Sequence, residues 1–436
     1  MGITRRGLLR TTVAGAAATA AAGSLTGCLG QTAGSQGSAG EKFAGEVEWW
    51  TINLQKNYAP YIQGMIDAYT AEHPDVTINW VDVPGQDITT KLLAAIASGT
   101  VPDAVNYTSF TVGLFGDSMS DLGEFFTDEE LGAYVPSLLT TLKNDADHQV
   151  GIPWYNGGAG FGIYRKSLCE QAGYTEDSLP TSYEEALELC QAIYDKTDVY
   201  GANLMCYSQE MQGEGITMLN DERTEAAFNT PDTVAVMERY KKYFESRAIA
   251  PGVMGKEARQ YEQSLENGQI ACAPKSVSSA LINIQKNAPD VYDDLWIAPG
   301  VTGPAGEQLF FGQQVFGIPS ASNNKAAAAE WLKFVTNAEN QLAFCKLVSI
   351  FPSSAAALED PFFTDIEVTE AMDAGRQVLV AQFDSMVDAA LSTGNDTLLR
   401  EVFDEQIRTY ITGQSSAEDA LGTAEQQWND ELAKQQ

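Results

Sequence analysis

From Glu46 onward the chain alternates short β-rich runs with helical patterns, and this alternation limits the topologies open to it. Val47-Glu48-Trp49-Trp50-Thr51-Ile52 predicts a strand. Tyr61, Ile62, Met65, Ile66 and Tyr69 then fall at helical spacing until His73-Pro74 ends the pattern. Val76 to Val81 alternates as a second strand, and Ile88, Leu92, Leu93 and Ile96 mark a helix closed by Gly99. Pro102 to Tyr107 reads as a third strand. Strands separated by helices build βαβ units, hence a parallel sheet with ligands at the strand carboxyl ends. Further on, the same reading predicts strands over 270–273, 295–298 and 310–318. It predicts helices over 166–172, 182–195, 231–247, 325–336, 338–348, 380–390, 398–411 and 416–433. No fixed-period repeat appears, and 436 residues suit two or three domains.

The stretch Gly151-Ile152-Pro153-Trp154-Tyr155-Asn156-Gly157-Gly158, continued by Phe161 to Lys166, is unusual within that pattern. Pro153 cannot donate to a sheet and suits a strand end or a crossover. The glycines let the backbone bend, and Trp154 and Tyr155 offer stiff amphipathic surface. A hinge with a ligand site beside it needs such a crossover; a core strand with a bulge would read the same way.

Charge and the amino terminus bound the function. Fifty-nine acidic residues against 26 basic give a net charge of −33, which argues against nucleic acid or anionic membrane surfaces as partners. Thr4-Arg5-Arg6-Gly7-Leu8-Leu9-Arg10 precedes a small apolar run over 11–23 that is too short to span a bilayer. It reads as a twin-arginine export signal. Leu25-Thr26-Gly27-Cys28 resembles a lipobox, so residues 1–28 form a lipoprotein signal with Cys28 as the lipid anchor. Residues 29–44, rich in Gly, Ser, Ala and Gln, read as a flexible tether. The expected location is the extracytoplasmic face of the cell membrane. Cys169, Cys190, Cys206, Cys272 and Cys345 show no C-x-x-C spacing, which disfavours a zinc site; a Cys169–Cys190 pair remains an alternative to two core thiols.

The order and wording of these pieces resemble the extracellular solute-binding lipoproteins of ATP-binding-cassette importers, in particular the sugar-binding, maltose-binding-protein-like group. The matching segments are Val47–Trp50, Tyr69–Ile78, Lys91–Asp103, Gly151–Tyr155, Gly162–Ser167, Phe228–Val234, Val315–Thr336 and Gln341–Phe344. The resemblance implies an α/β, two-lobed periplasmic-binding-protein-like (type II) fold with a hinge and an interlobe cleft. Lobe 1 would hold 45–153 plus 298–345, and lobe 2 would hold 154–297 plus 346–436. It also implies a monomer that binds a small solute, a sugar, closes around it and docks on membrane permease subunits, with no cofactor and no metal.

Matched against the family pattern, the expected ligand-binding residues are Asn53, Gln55, Gln86, Asp87, Tyr107, Thr108, Trp154, Tyr155, Asn156, Lys275, Ser276, Gln313, Gln314 and Arg400. A sugar site needs aromatic faces for C–H surfaces, and amides, carboxylates or Arg for hydroxyls. Several have structural readings too: Asp87 as a helix N-cap, Asn53 and Gln55 as loop residues, Lys275 as a solvated strand end. One departure stands out. Where many sugar-binding relatives carry an aromatic after the strand over 270–274, this chain has Lys275-Ser276. A neutral oligosaccharide is thereby put in question, and an acidic or amino sugar, a polyol or a phosphate-bearing solute stays open.

An enzyme is the competing class. A glycosidase needs a carboxylate pair, and none stands out beside the glycine-rich crossover. His73 and His148, the two histidines, lie far apart and read as surface residues, so no catalytic residues are assigned. A binding protein that signals to a sensor kinase would look the same in sequence.

Overall fold

The structure is a computed structural model and describes residues 44–157, 160–255, 260–310, 312–348 and 350–434. The twin-arginine stretch, Cys28 and residues 29–43 of the expected tether lie outside the described residues.

The first strands form as the alternation predicts: β1 (Gly45–Ile52), β2 (Val76–Val83) and β3 (Ala104–Thr108). They pair in parallel, with Ile52 beside Val83 and Trp50 beside Val105. The helix Gln55–Glu72 connects the first two and buries Ile62, Met65, Ile66 and Tyr69, the face read from spacing. Its first N–H groups are held from outside the helix. The Asp82 carboxylate accepts from Leu54 N and Gln55 N, each at 2.9 Å, and from Thr51 Oγ1 at 2.8 Å.

The remaining strands are β4 (Ile152–Asn156), β5 (Phe161–Arg165), β6 (Tyr200–Ala202), β7 (Ile270–Ser276), β8 (Leu295–Pro299), β9 (Gln308–Phe310), β10 (Gln314–Gly317), β11 (Phe351–Pro352) and β12 (Met386–Asp388). They assemble into a sheet of order β11-β4-β10-β3-β1-β2, a second of order β6-β7-β5-β8, and a β12-β9 pair. The sheets are mixed, which the βαβ reading did not anticipate. β10 runs antiparallel to β3 and β4, and β5 runs antiparallel to β7 and β8. These are the strands through which the chain returns from one sheet to the other.

Trp154, Tyr155 and Asn156 belong to the first sheet, paired with β10 and β11, and the change of sheet falls between Asn156 and Phe161. The run expected as one strand over 310–318 is two, because Gly312 takes φ +76°, a left-handed turn that only glycine adopts cheaply. β9 pairs with β12, whereas β10 joins the first sheet. The helix expected over 380–390 lies earlier, at Ala371–Ala381, and Met386–Asp388 is a strand because pairing with Gln308–Phe310 overrides local propensity.

Each sheet has its own core. Trp49, Trp154, Trp331, Tyr69, Phe316 and Phe344 fill one beneath the first sheet. Tyr164, Tyr183, Tyr240, Phe228, Phe403 and Trp428 fill another in the helical half beyond the second. All five cysteines of the described residues are buried and free, so Cys169 and Cys190 are not paired; Cys190 Sγ instead lies 3.8 Å from Cys272 Sγ. The helix Tyr183–Thr197 starts as its sequence predicts, with Ser182 and Glu185 forming a capping box. Ser182→Ala is expected to cost about 1 kcal/mol in urea unfolding, with the mid-helix change Glu188→Ala as the control.

Candidate functional site

Parallel pairing of β1 and β2 gathers four of the expected ligand residues at one sheet edge. Asn53 adopts φ +55° and its Oδ1 accepts from Gly85 N at 3.1 Å, locking the turn after β2. Gln55, Gln86 and Asp87 are exposed beside it, and Asp87, at the N-cap position of helix Ile88–Ser98, makes no side-chain cap bond. A second group forms one row across three strands, where Gln314 of β10 faces Thr108 of β3 and Tyr155 of β4. The Gln314 Oε1 is buried there with no hydrogen-bond partner in the structure.

Four of the expected residues are buried in this form. Tyr107 is 1% exposed and donates its hydroxyl to Val150 O at 2.9 Å, deep in the first half. Trp154 is 2% exposed, with ring centroids 4.5 Å from Phe316 and 5.2 Å from Phe344. Neither presents a face to a solute in this form, because both side chains point from their strands into the hydrophobic filling. Asn156 is buried opposite Phe351. Gln313 is buried at the crossover, where its Nε2 donates to Leu138 O at 2.7 Å and to Asp388 Oδ2 at 3.3 Å. Asp388 also accepts from Thr141 Oγ1 at 3.1 Å, so β12, the crossover and the first half share one carboxylate.

Lys275 and Ser276 stand together at the end of β7, where they line a cavity of about 390 Å³. Its other walls include Asn203, Glu210, Tyr261, Pro274 and Phe310, and the backbone of Gly157 and Gly160. Lys275 Nζ donates to Leu309 O at 3.3 Å, and Tyr261 Oη and Ser276 Oγ are 3.4 Å apart. Arg400, on helix Asp396–Ile411, is close by. It donates to Ala389 O at 2.5 Å and Gln212 Oε1 at 3.1 Å, and its guanidinium carbon lies 5.5 Å from the Phe110 ring centroid. Phe110 follows β3, so this cation–aromatic contact joins the two halves of the molecule.

A cavity of about 440 Å³ also opens between residues 112–117 and 143–145 on one side and 221–224 and 392–394 on the other. Its charged groups, Asp117, Lys143, Asp145, Asp221, Glu222 and Arg223, are all exposed. Such groups are solvated and bind little by themselves. The cavity at Lys275 has the partly enclosed aromatic and polar lining of a ligand site.

Its electrostatics are unusual. Burial raises the Glu210 carboxyl to about 7; the neighbouring Asp404 adds to this, and Lys275 and Arg400 oppose it. Burial lowers the Lys275 ammonium to about 8 against the attraction of Glu210. Glu210 holds a proton in the folded chain over a range where the unfolded chain has released it, so its contribution to stability falls as pH rises from about 4.5 to about 7. Glu210→Gln is expected to remove that slope, so the difference in unfolding free energy between variant and parent changes over this interval and is flat above it.

Sequence reasoning missed Glu210, Asn203, Tyr261 and Phe110. Glu210 sits in the short helix Ser208–Gly213, fastened by Ser208 N donating to Asp404 Oδ1 at 2.7 Å, after an irregular stretch with no periodic signal. Phe110 alone had a legible position, three residues beyond Tyr107 at the end of a predicted strand.

A mixed α/β molecule of two sheets with crossovers between them, and a cavity at the strand ends, has the two-lobed fold of the periplasmic binding proteins. Solved structures agree. A candidate oligosaccharide periplasmic-binding protein from Synechococcus sp. MITs9220 superposes with TM-score 0.79 at 24% identity, covering 89% of this chain and 99% of that one. The cyclic alpha-maltosyl-1,6-maltose binding protein of Arthrobacter globiformis gives 0.75 at 22% identity, covering 90% and 100%. The chain belongs to the bacterial extracellular solute-binding proteins, whose family model matches residues 53–342. Among relatives, the lactose-binding protein of Rhizobium radiobacter is 32% identical over 159 residues, 36% of this chain and 37% of that protein. A binding protein of Brucella abortus is 24% identical over 281 residues, 60% of this chain and 66% of that protein. No helix of the described residues is long and apolar enough to cross a membrane.

Proposed function

We propose that this chain captures a carbohydrate between its two lobes and delivers it to the membrane permease of an ATP-binding-cassette importer. The observation that carries this is the cavity at the end of β7, where Tyr261 and Phe310 provide ring surface beside Asn203, Glu210, Lys275 and Ser276. Rings for C–H faces and convergent polar groups for hydroxyls are what a sugar requires. The lobes pivot about the three places where the chain leaves or re-enters the first sheet: between Asn156 and Phe161, at Gly312, and after Pro352. Gln55, Gln86, Thr108, Tyr155 and Gln314 face the solute from the first lobe, and Lys275 and Ser276 from the second, with Arg400 beside them. Removal of residues 1–27 leaves a lipid on Cys28 that holds the monomeric protein on the extracytoplasmic face. A solute touching both lobes shifts the population toward the closed form by its differential affinity.

Thermal unfolding of residues 29–436 against mono- and oligosaccharides, amino sugars, polyols and sugar phosphates tests the reading. A ligand bound only by the native state raises the midpoint by mass action. A shift with a sugar, and no product on incubation, supports capture for uptake. Product formation would move the protein to the carbohydrate-active enzymes, and shifts with peptides alone would remove the sugar.

A further inference from the structure

Lys275 stands near the end of a central strand, inside the cavity. Its ammonium is the one cationic group lining that cavity among the described residues, and Glu210 is the one carboxylate. Both are partly enclosed. Building on the carbohydrate reading above, we propose that the solute is an anionic sugar whose carboxylate or phosphate is received by Lys275, with Glu210 in its protonated form donating to a solute hydroxyl.

The charge of the occupant is set by which charge the site can neutralise at least cost. A cationic sugar would meet the Lys275 ammonium, which burial lowers but the attraction of Glu210 helps to keep charged. An anionic sugar is opposed by Glu210, the one carboxylate lining the cavity among the described residues, and burial already pushes that carboxyl toward its neutral form. The surrounding charges act on Glu210 in both directions. Asp404 pushes Glu210 toward protonation, and Arg400 and Lys275 pull the other way. Tyr183, whose hydroxyl is driven upward by burial, carries no charge in this range. An arriving anion repels the Glu210 carboxylate and favours its neutral form, so binding takes up protons and weakens as pH rises through about 7.

Titration calorimetry of the soluble full-length chain distinguishes the outcomes. The probes are D-glucuronate, D-galacturonate, their 1,4-linked dimers, glucose 6-phosphate, and the neutral hexoses and disaccharides of the same stereochemistry, each in two buffers of different ionisation enthalpy. The expected result is that an acidic member binds at least about tenfold more tightly than its neutral counterpart near pH 7, with net proton uptake. Lys275→Met, close in volume, should erase that preference while the unliganded melting curve persists. Glu210→Gln should keep the preference but abolish the proton uptake. The uronate and phosphate arms tell which anion is meant. Equal or better binding of the neutral sugar, or a preference that survives Lys275→Met, overturns the inference and leaves the carbohydrate reading intact. Binding of none of the sugars overturns that reading and the inference together.

Discussion

Trp154→Ala is expected to lower the unfolding free energy by about 3–5 kcal/mol, the cost of emptying an indole-sized volume in a packed core. Trp154 meets Trp49 at 6.4 Å, Phe316 at 4.5 Å, Phe344 at 5.2 Å and Tyr155 at 4.8 Å between ring centroids. These rings come from four elements, so the cavity cannot collapse without moving strands. Trp154→Phe should recover a large part of the loss because a ring still fills the centre of the cluster. Urea unfolding of the two variants checks this. An unchanged midpoint with weakened solute binding would return Trp154 to the ligand site.

Gly113→Ala should weaken solute binding by tenfold or more, about 1.4 kcal/mol, with little effect on the unliganded melting midpoint. An added Cβ would lie 2.3 Å from Thr393 O and 2.8 Å from the Ser392 carbonyl carbon. Gly113 is in the helix Val112–Phe115 of the first half, and Thr393 precedes the helix Asp396–Ile411 of the second. The loop has little room to yield. The Asp396 carboxylate accepts from Leu391 N at 2.6 Å, Ser392 N at 3.2 Å and Thr393 N at 2.9 Å. The methyl group is therefore relieved by parting the two halves, which penalises the form in which Arg400 reaches Phe110. Small-angle scattering with saturating solute should show the variant more expanded than the parent. Equal affinity and equal dimensions would mean that this approach plays no part in capture.

What was legible in the sequence is what short-range pattern controls. The face Ile62-Met65-Ile66-Tyr69, the cap at Ser182 and the parallel β1–β3 core follow from spacing and from local hydrogen-bonding groups. The strand Met386–Asp388 and the break at Gly312 were not legible, because each depends on a partner far away in sequence. The site divides the same way. Lys275 and Ser276 line the cavity, and their place was legible because they end a recognisable strand. Tyr107 and Trp154 are buried here, a placement that was not legible because an aromatic at a strand end looks the same whether it points to a solute or into the filling. Glu210 was invisible: its position is set by Asp404, which is 194 residues further along and meets it only in the folded chain.

The five buried thiols bear on where this protein can acquire its shape. None is committed to a covalent cross-link, and burial drives Cys169 up to about 12, with Cys206 and Cys345 likewise raised. A thiol held that far from its thiolate exchanges slowly with glutathione or an oxidoreductase. The native state therefore requires no oxidant. The described residues can reach their tertiary structure in a reducing environment, and an oxidising one finds no accessible thiol among them.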